Sequence, residues 1–222
     1  MRSAGDFWEL LTPDEAAELE RRGTRRRYRR GAVIFREAER GRAVVVLLAG
    51  RVKITSNTAS GTEVVLAVRG PGALLGELSA LDGGAYSATV QALEPVTALV
   101  TPVAEFSAYL QARGRVGYLL MRMLVGRLRD ADRKRIEFGA HDTTGRVAAR
   151  LLELAERFGQ PSPEGITIAL PLSQDELAGW TGASRESVSK ALGALRGEGA
   201  IRTSRLRVVV RDVEKLRQRV TR

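Results

Sequence analysis

Three polar side chains in the C-terminal third of the chain have the hydrogen-bonding chemistry of base recognition. Arg185, Glu186 and Lys190 lie close together in the stretch SRESVSKAL. Arginine donates to both acceptors of a guanine, glutamate accepts from the amino group of a cytosine, and lysine reaches a further guanine or a phosphate. The first two would lie in the opening turn of a helix, which is the part of a recognition helix that enters the major groove. We therefore predict a helix that reads G/C-containing DNA.

The apolar residues of this stretch predict the helix itself. Val188, Ala191, Leu192 and Leu195 recur at i, i+3, i+4 and i+7, so they form one face that is expected to be buried. Ser184 is expected to cap the helix. Any amphipathic helix has a polar face, so the assignment of base readers depends on the surrounding sequence.

The surrounding sequence predicts a winged helix-turn-helix. Ser173 and Glu176 have the spacing of a capping box that starts a preceding helix, and Gly182 permits the turn between the two helices. The stretch IRTSRLRVVV predicts a hairpin whose arginines contact phosphates. The predicted DNA contacts besides the three base readers are Ser173, Gln174, Ser184, Ser187, Ser189, Arg202, Arg205 and Arg207.

The composition suits a polyanionic partner and excludes several kinds of chemistry. The chain has 36 Lys and Arg against 26 Asp and Glu, a net charge of +10, which fits nucleic acid or an acidic membrane surface. It has no cysteine and only one histidine, His141, so no disulfide, iron–sulfur, metal or thiol site is predicted and an enzyme is not expected. The N-terminus does not resemble a signal peptide, and no apolar run is long enough to span a membrane. We therefore expect a soluble, cytoplasmic protein.

The N-terminal half predicts an antiparallel β-sandwich or roll. Over residues 32–101, short apolar runs alternate with glycines. VVVLLAGRVKITS and GTEVVLAVRGPG predict successive hairpins, with residues 57–61 as a turn. The run RRGTRRRYRR, between a short helix and the first strand, is interpreted as a solvated face.

Residues 102–140 contain almost no helix breakers and predict one long helix or two nearly continuous ones. Apolar residues recur there at helical spacing, at Leu120, Leu124, Leu128 and Ala131. Past Leu128 the stripe narrows to the seam of a paired coil, which favours a homodimer. Packing of the helix on its own sandwich is the alternative, and it is expected for the part before Gly117.

The chain is therefore predicted to be an α+β protein of three parts. Residues 1–103 form the β-roll, residues 104–140 the dimerisation helix and residues 141–222 the winged helix-turn-helix. Asp142 is placed to cap the helix that follows the break at residues 139–144. The PSPEG segment is interpreted as a surface loop before a short strand, ITIAL.

Three stretches resemble the cyclic-AMP receptor protein/FNR family of bacterial transcription regulators: LLGELSALDGGAYSATVQALEP, HDTTGRVAARLLEL and SRESVSKAL. The resemblance implies a cyclic-nucleotide-binding-type β-roll, a dimerisation helix and a C-terminal winged helix-turn-helix. It also implies that Arg185, Glu186 and Lys190 read TGTGA-like half-sites. A two-fold homodimer places two such half-sites in a palindrome, about 10 bp apart.

The resemblance further implies an effector site in the roll. Gly76 and Glu77, followed by Leu78, match the turn that meets the ribose and phosphate in relatives that bind cyclic AMP. Ser87 matches the serine of an arginine–serine pair that holds the phosphate. Tyr86 stands at the arginine position and brings no positive charge.

On the long helix, Ala131 and Asp132 stand where relatives place a threonine and a serine or asparagine that contact adenine. Three hypotheses stay open: weak binding of cyclic AMP, binding of another nucleotide or small effector, or constitutive DNA binding without an effector.

By resemblance, residues 140–144 are a hinge and RDADRKR is a segment that couples ligand binding to DNA binding. The resemblance also implies RNA polymerase as a further partner, through a loop like PSPEG, although we favour an ordinary surface connection there. The rival function is a cyclic-nucleotide sensor that acts through protein contacts.

Overall fold

The chain folds into two compact units in a computed structural model, which describes residues 6–59, 61, 63–169, 173–204 and 207–220. Within that range the first unit runs up to Ser56 and continues over Leu66–Ala131. The second unit holds Asn57–Val65 and the chain from Asp132 onward. None of the helices in the described range is long and apolar enough to cross a membrane.

The N-terminal part is the predicted antiparallel roll. Its strands are β1 (Thr24–Tyr28), β2 (Val33–Phe35), β3 (Ala43–Ala49), β4 (Val52–Asn57), β5 (Glu63–Arg69), β6 (Leu74–Leu75), β7 (Thr89–Ala92) and β8 (Val96–Pro102). They form two four-stranded sheets, in the orders β1-β8-β3-β6 and β2-β7-β4-β5. The helices of this part are a 3-10 turn (Phe7–Leu10), α1 (Pro13–Arg22), α2 (Glu77–Asp82), α3 (Val103–Ala112) and α4 (Gly114–Ala140).

One of the two predicted hairpins is wrong. β3 pairs with β8 and β6, while β4 lies in the other sheet, so VVVLLAGRVKITS crosses between sheets. Gly50, between the two strands, has a φ of +81°, and a Cβ there would lie 2.3 Å from the carbonyl oxygen of Pro95. β3 already has a strand on each edge, β8 on one and β6 on the other, so neither edge is left for β4 to pair with. β4 and β5 are neighbours as predicted, and the N–H of Gly61 closes their turn on the carbonyl of Thr58 at 2.9 Å.

The arginine-rich run is exposed as predicted, but it is wrong that it precedes the first strand. Thr24–Tyr28 is itself β1, at the edge of a sheet, where Arg26 pairs with Ala98 of β8. An edge strand is held by backbone hydrogen bonds to one neighbour, so it needs no apolar face when its side chains extend into water.

Helices α3 and α4 are nearly continuous, as predicted, with only Arg113 between them. Phe106, Tyr109, Val116 and Leu120 are buried in the core that these helices form with the roll. The helix therefore packs on its own roll before Gly117, as expected, and continues to do so for another turn.

The predicted seam of α4 is buried at its beginning and exposed at its end. Leu120 is only 2% exposed, and Leu124 packs partly buried against the same core. Leu128 and Ala131, which complete the predicted stripe, are exposed, and so are Tyr118, Met121 and Val125. The roll therefore covers the first part of the stripe that spacing selects and leaves its second part exposed.

The second unit is a helix-turn-helix with a small sheet. Its elements after α4 are α5 (Thr143–Phe158), β9 (Gln160–Ser162), β10 (Gly165–Ile168), α6 (Gln174–Thr181), α7 (Arg185–Gly197), β11 (Ile201–Ser204), β12 (Arg207–Val210) and α8 (Val213–Val220). The sheet has the order β11-β12-β10-β9. Asp142 caps α5 as predicted, since its side chain accepts from the N–H of Gly145 at 2.7 Å.

The interpretation of PSPEG as a loop is wrong in part. Pro161 and Ser162 belong to β9, which pairs with β10, so only Pro163 and Glu164 form the turn. Proline is tolerated on an edge strand because no neighbour needs its missing N–H.

Candidate nucleic-acid interface and effector site

The first helix of the helix-turn-helix begins at the predicted capping box. The hydroxyl of Ser173 accepts from the N–H of Glu176 at 3.1 Å, and the carboxylate of Glu176 accepts from the N–H of Ser173 at 2.8 Å. Both backbone donors are therefore satisfied, which fixes where α6 starts.

The turn and the start of the second helix also follow the prediction. Gly182 has a φ of +58°, in the left-handed region that glycine adopts without strain. Two residues later Ser184 caps α7, because its hydroxyl accepts from the N–H of Ser187 at 3.1 Å. A Cβ on Gly182 would meet the ring of Phe138 at 2.5 Å, so the close approach of this ring also requires glycine.

Helix α7 buries one face and exposes the predicted base readers on the other. Val188, Ala191, Leu192 and Leu195 are all buried. Arg185, Glu186, Ser189 and Lys190 are exposed.

Little inside the protein restrains these readers. Arg185 lies 3.7 Å from a carboxylate oxygen of Asp175, but both side chains are about two-thirds exposed, so this ion pair is weak. Within the described residues, the side chains of Glu186 and Lys190 make no hydrogen bond or ion pair. The opening turns of α7 therefore present two cations and an anion that are available to an external partner.

The predicted hairpin is present, but two of its arginines already have partners. Arg202 donates to both carboxylate oxygens of Glu164 at 2.9 Å, and Arg207 donates to the hydroxyl of Thr167 at 3.2 Å. Arg205 lies outside the described residues. A phosphate contact by Arg202 would compete with Glu164.

A charged network joins the end of α4 to the helix-turn-helix. Arg150 of α5 is buried and bonds to Glu137 and, at 2.7 Å, to Glu153. The guanidinium of Arg150 and the ammonium of Lys134 each lie 5.9 Å from the ring of Trp180, which is buried in α6. The indole N–H of Trp180 has no hydrogen-bond partner in the described part of the chain. The network fixes the last turns of α4 on α5 and α6.

The GEL turn of the roll is tightly built. Gly76 precedes α2 with a φ of +78°, and a Cβ there would lie 2.9 Å from the carbonyl oxygen of Ala43. Glu77 is buried and forms an ion pair with Arg127 of α4, which also donates to the carbonyl of Leu74 at 2.7 Å. The carboxylate that the resemblance assigns to a ligand is thus satisfied within the chain.

Tyr86 is part of the core of the roll. The residue is 8% exposed, and its ring stacks on Phe35 with the ring centroids 4.1 Å apart. Its hydroxyl accepts from the N–H groups of Arg42 and Ala43, each at 3.1 Å, and donates to the carbonyl of Ala43 at 2.9 Å. One donor and two acceptors are all that a phenol hydroxyl has, so its hydrogen-bonding capacity is used.

The other predicted effector contacts are exposed. Leu78 is 43% exposed on α2, Ser87 is exposed before β7, and Ala131 and Asp132 are exposed on α4. Their role toward a ligand stays a prediction.

The residues at these positions do not fit the phosphate of a cyclic nucleotide. Tyr86 is uncharged and has no free donor, and the guanidinium of Arg127 is engaged by Glu77. A phosphate placed there would find no free charged donor in Tyr86 or Arg127, so the charge-assisted hydrogen bonds that hold a bound phosphate would be missing.

Two arginines with clear roles were missed by the sequence analysis. Arg127 neutralises Glu77, which lies 50 residues earlier, and Arg196 at the end of α7 donates to Thr203 of β11 at 3.0 Å. The signal for Arg127 was the carboxylate in the apolar stretch LLGELSAL, because a buried acid requires a partner. That signal does not say which of the many arginines supplies it.

A β-roll, a long helix and a capped helix-turn-helix with a wing define the class of protein: a DNA-binding transcription regulator with an N-terminal effector-type domain. Residues 25–113 match the cyclic nucleotide-binding domain, and residues 145–219 match the Crp-like helix-turn-helix domain. The chain belongs to the cyclic-AMP receptor protein/FNR family. Members of this family are transcription regulators and not enzymes.

Similar proteins cover most of the chain. A CRP-like cAMP-activated global transcriptional regulator of Mycobacterium tuberculosis is 33% identical, over 86% of this chain and 85% of its own. A cyclic AMP receptor protein of Thermus thermophilus is 32% identical, over 94% and 93%. The crystal structure of another transcriptional regulator of the CRP family, also from Thermus thermophilus, is 27% identical, with a TM-score of 0.75, and the match covers 89% of this chain and 97% of that one.

Proposed function

We propose that the chain binds a palindromic TGTGA-like DNA site as a homodimer, and that Arg185, Glu186 and Lys190 read the bases of each half-site. The observation that carries this proposal is α7 itself: its apolar face is buried, its start is capped by Ser184, and its three readers are exposed in the first turns. A helix held in this way presents its N-terminal side chains to a major groove.

The exposed stripe of α4 supports the homodimer. Tyr118, Met121, Val125 and Leu128 follow one another at intervals of three, four and three residues, the spacing of a and d positions in a coiled coil. They are between 48% and 64% exposed, and Leu128 is the most exposed of the four. Packed against a second copy of α4, the side chains of this stripe would be removed from contact with water. The two-fold axis of such a dimer relates two identical half-sites, which is why the DNA site is expected to be a palindrome.

We further propose that DNA binding does not require cyclic AMP. The ion pair of Glu77 with Arg127 and the saturated hydroxyl of Tyr86 support this alternative, because both polar groups already have partners inside the roll.

Fluorescence anisotropy tests both proposals. The full-length protein is titrated onto a labelled TGTGA palindrome and onto a scrambled duplex of equal length at fixed salt, alone and with cyclic AMP or cyclic GMP. We expect a preference for the palindrome of at least about 10³. We also expect the affinity to be the same with and without either nucleotide.

Three other results would contradict the proposals. Equal affinity for the two duplexes would refute the assigned base readers. A tenfold or larger nucleotide effect, about 1.4 kcal/mol, would refute independence from an effector. Tight nucleotide binding without salt-dependent DNA binding would favour the rival sensor that acts through protein contacts.

A further inference from the structure

The last helix of the described chain, α8, holds the far end of the recognition helix. Lys215 and Arg219, one turn apart on α8, both reach Glu198, the residue that caps the end of α7. The ammonium of Lys215 donates to the carbonyl of Glu198 at 2.9 Å. The guanidinium of Arg219 donates to both carboxylate oxygens of Glu198, and the bond from its Nε spans 3.2 Å. Two cations of α8 therefore bind one residue at the end of α7.

Glu198 does not stabilise α7 by its own position. The C-terminus of a helix carries a partial negative charge, so a carboxylate there is unfavourable and a cation is favourable. The last carbonyls of a helix also lack hydrogen-bond donors within that helix. Lys215 and Arg219 supply the positive charge, and Lys215 supplies a donor for the carbonyl of Glu198. The contact is therefore a joint between two helices, and it is made of charged side chains.

α8 is itself fixed on the start of α5. It packs along α5, and its residue Leu216 is buried. A Cβ on Gly145, in the first turn of α5, would lie 3.0 Å from the carbonyl oxygen of Arg219. The hydrogen bond to Glu198 raises the pKa of Arg219, and the carboxylate of Asp142, which caps α5, raises it further. Arg219 therefore lies between the cap of α5 and the end of α7.

The direction of a rigid helix is set by the points that hold its two ends. The turn at Gly182 and the cap at Ser184 hold the start of α7, and the joint at Glu198 holds its end. The 13 residues of α7 span about 20 Å, so release of the far end would let the helix tilt about its start. A functional contact must be held within about 10–20° of its productive geometry. Tilting α7 would therefore weaken the contacts of its base readers.

We propose that Arg219 is a positioning residue for base reading: through Glu198 it ties the end of α7 to the start of α5 and so sets the angle of the recognition helix on the DNA. Arg219 touches no base and acts only through Glu198. This inference rests on the proposed function, because the angle of α7 affects selectivity only if α7 reads bases.

The selectivity of DNA binding tests the proposal. Anisotropy at fixed salt gives dissociation constants for the TGTGA palindrome and for a scrambled duplex of equal length, and their ratio is the selectivity. The full-length protein is compared with Arg219→Gln, with Glu198→Gln and with the double variant. Arg217→Gln is the matched control, because Arg217 is an arginine of α8 whose carboxylate partner, Glu214, lies on the same helix. A variant that is merely less stable loses the same factor on both duplexes, so its selectivity stays the same.

We expect Arg219→Gln and Glu198→Gln each to lower the selectivity by roughly 2- to 30-fold, the range for residues that affect a site without contacting its ligand. The double variant should lose no more than either single variant, because all three remove the same ion pair. The two single substitutions change the net charge in opposite directions, so a loss shared by both is not an effect of charge on DNA affinity. Arg217→Gln should keep the selectivity of the unmodified protein.

Unchanged selectivity of Arg219→Gln would overturn the proposal and would show that the buried face of α7 alone fixes its direction. An equal loss on the two duplexes would overturn it as well, since Arg219 would then contact phosphate or act on stability only. Failure of the unmodified protein to select the palindrome would instead refute the proposed function, so the two failures are distinguishable. Circular dichroism at the titration temperature checks that each variant is folded, and if Arg219→Gln is not, the selectivity of Glu198→Gln decides.

Discussion

Arg185 is the side chain whose removal tests base reading most directly. It begins α7, is two-thirds exposed, and its ion pair with Asp175 is weak. We expect Arg185→Ala to cost about 1–3 kcal/mol at the cognate site and to relax the preference at one base pair. Anisotropy with the palindrome and with each substituted half-site measures both effects.

Arg217→Ala is the matched control, because Arg217 is an exposed arginine of α8 in the same unit. It should weaken binding equally for all sequences, if at all. An Arg185 variant whose loss is the same on every duplex would show that this arginine contacts only phosphates.

Tyr86 has a structural side chain at the position where the resemblance to the family predicts an arginine. We expect Tyr86→Phe to lower the free energy of unfolding by roughly 1–3 kcal/mol, because the N–H groups of Arg42 and Ala43 would lose their acceptor inside the roll. Urea unfolding followed by circular dichroism measures this change. Tyr28→Phe is the control. The hydroxyl of Tyr28 makes no hydrogen bond in the described part of the chain, so its removal should leave the free energy of unfolding nearly unchanged. Equal stability of the two variants would contradict the role given to Tyr86.

At the scale of elements, one carboxylate joins α1 to α4. Glu15 is buried, closes the capping box with Thr12 and accepts from Arg115 at 2.7 Å. Burial alone raises the pKa of Glu15, but the hydrogen bonds from Thr12 and Arg115 outweigh burial, so the pKa lies below its ordinary value of 4.5. Because the pKa of Glu15 is lower in the folded chain than in the unfolded chain, its ionised carboxylate stabilises the fold above the unfolded-state pKa. That contribution is lost as the pH falls through the folded-state pKa.

We therefore expect the free energy of unfolding to decrease on acidification below pH 4.5, and Glu15→Gln to remove part of that decrease. Urea unfolding at a series of pH values measures the slope. Glu9→Gln, at an exposed glutamate nearby, should leave the slope unchanged. Parallel profiles for Glu15→Gln and the unmodified protein would exclude Glu15 as the source.

The exposed stripe of α4 makes a separate prediction. A charge at Leu128, which is 64% exposed, would be buried without a partner in a seam between two copies of the helix. We expect Leu128→Glu to weaken dimerisation at least about tenfold, since a buried leucine contributes about 1.5–3 kcal/mol. Sedimentation equilibrium measures the dimer, and Arg129→Glu places the same charge on the neighbouring exposed position. If both variants remain dimeric, the seam lies elsewhere.

Features that depend on a few neighbouring residues were predictable from the sequence. The caps at Ser173, Ser184 and Asp142 each join groups three residues apart, and the buried face of α7 follows from one periodic pattern. Features that depend on distant contacts were not. At Gly50 the chain passes into a second sheet close to the carbonyl of Pro95, and nothing local distinguishes that turn from a hairpin.

The same limit applies to the effector site and to the seam. Tyr86 could be recognised as an unusual residue, but its bonds to Arg42 and Ala43 come from a segment more than 40 residues away. On α4, spacing identifies apolar stripes but not the one that the roll covers. The choice between Leu120 and Tyr118 is made by Phe106 and the rest of the core.

At the scale of the whole molecule, the charge is divided between two kinds of surface. Residues 132–222 contain 17 Lys and Arg against 12 Asp and Glu, the same excess as the N-terminal part. In the second unit the base readers of α7 stand among paired arginines such as Arg202 and Arg219, whereas most arginines of residues 21–30 make no side-chain hydrogen bond or ion pair within the described residues.

The setting of Trp180 has a practical consequence for following the protein in solution. The chain has two tryptophans, and Trp8 belongs to the first unit while Trp180 belongs to the second. A Trp8→Phe variant would leave a single tryptophan, buried in α6 with Lys134 and Arg150 each 5.9 Å from its ring. Its emission would report on the helix-turn-helix unit alone, without any attached dye, and a Trp180→Phe variant would report on the roll.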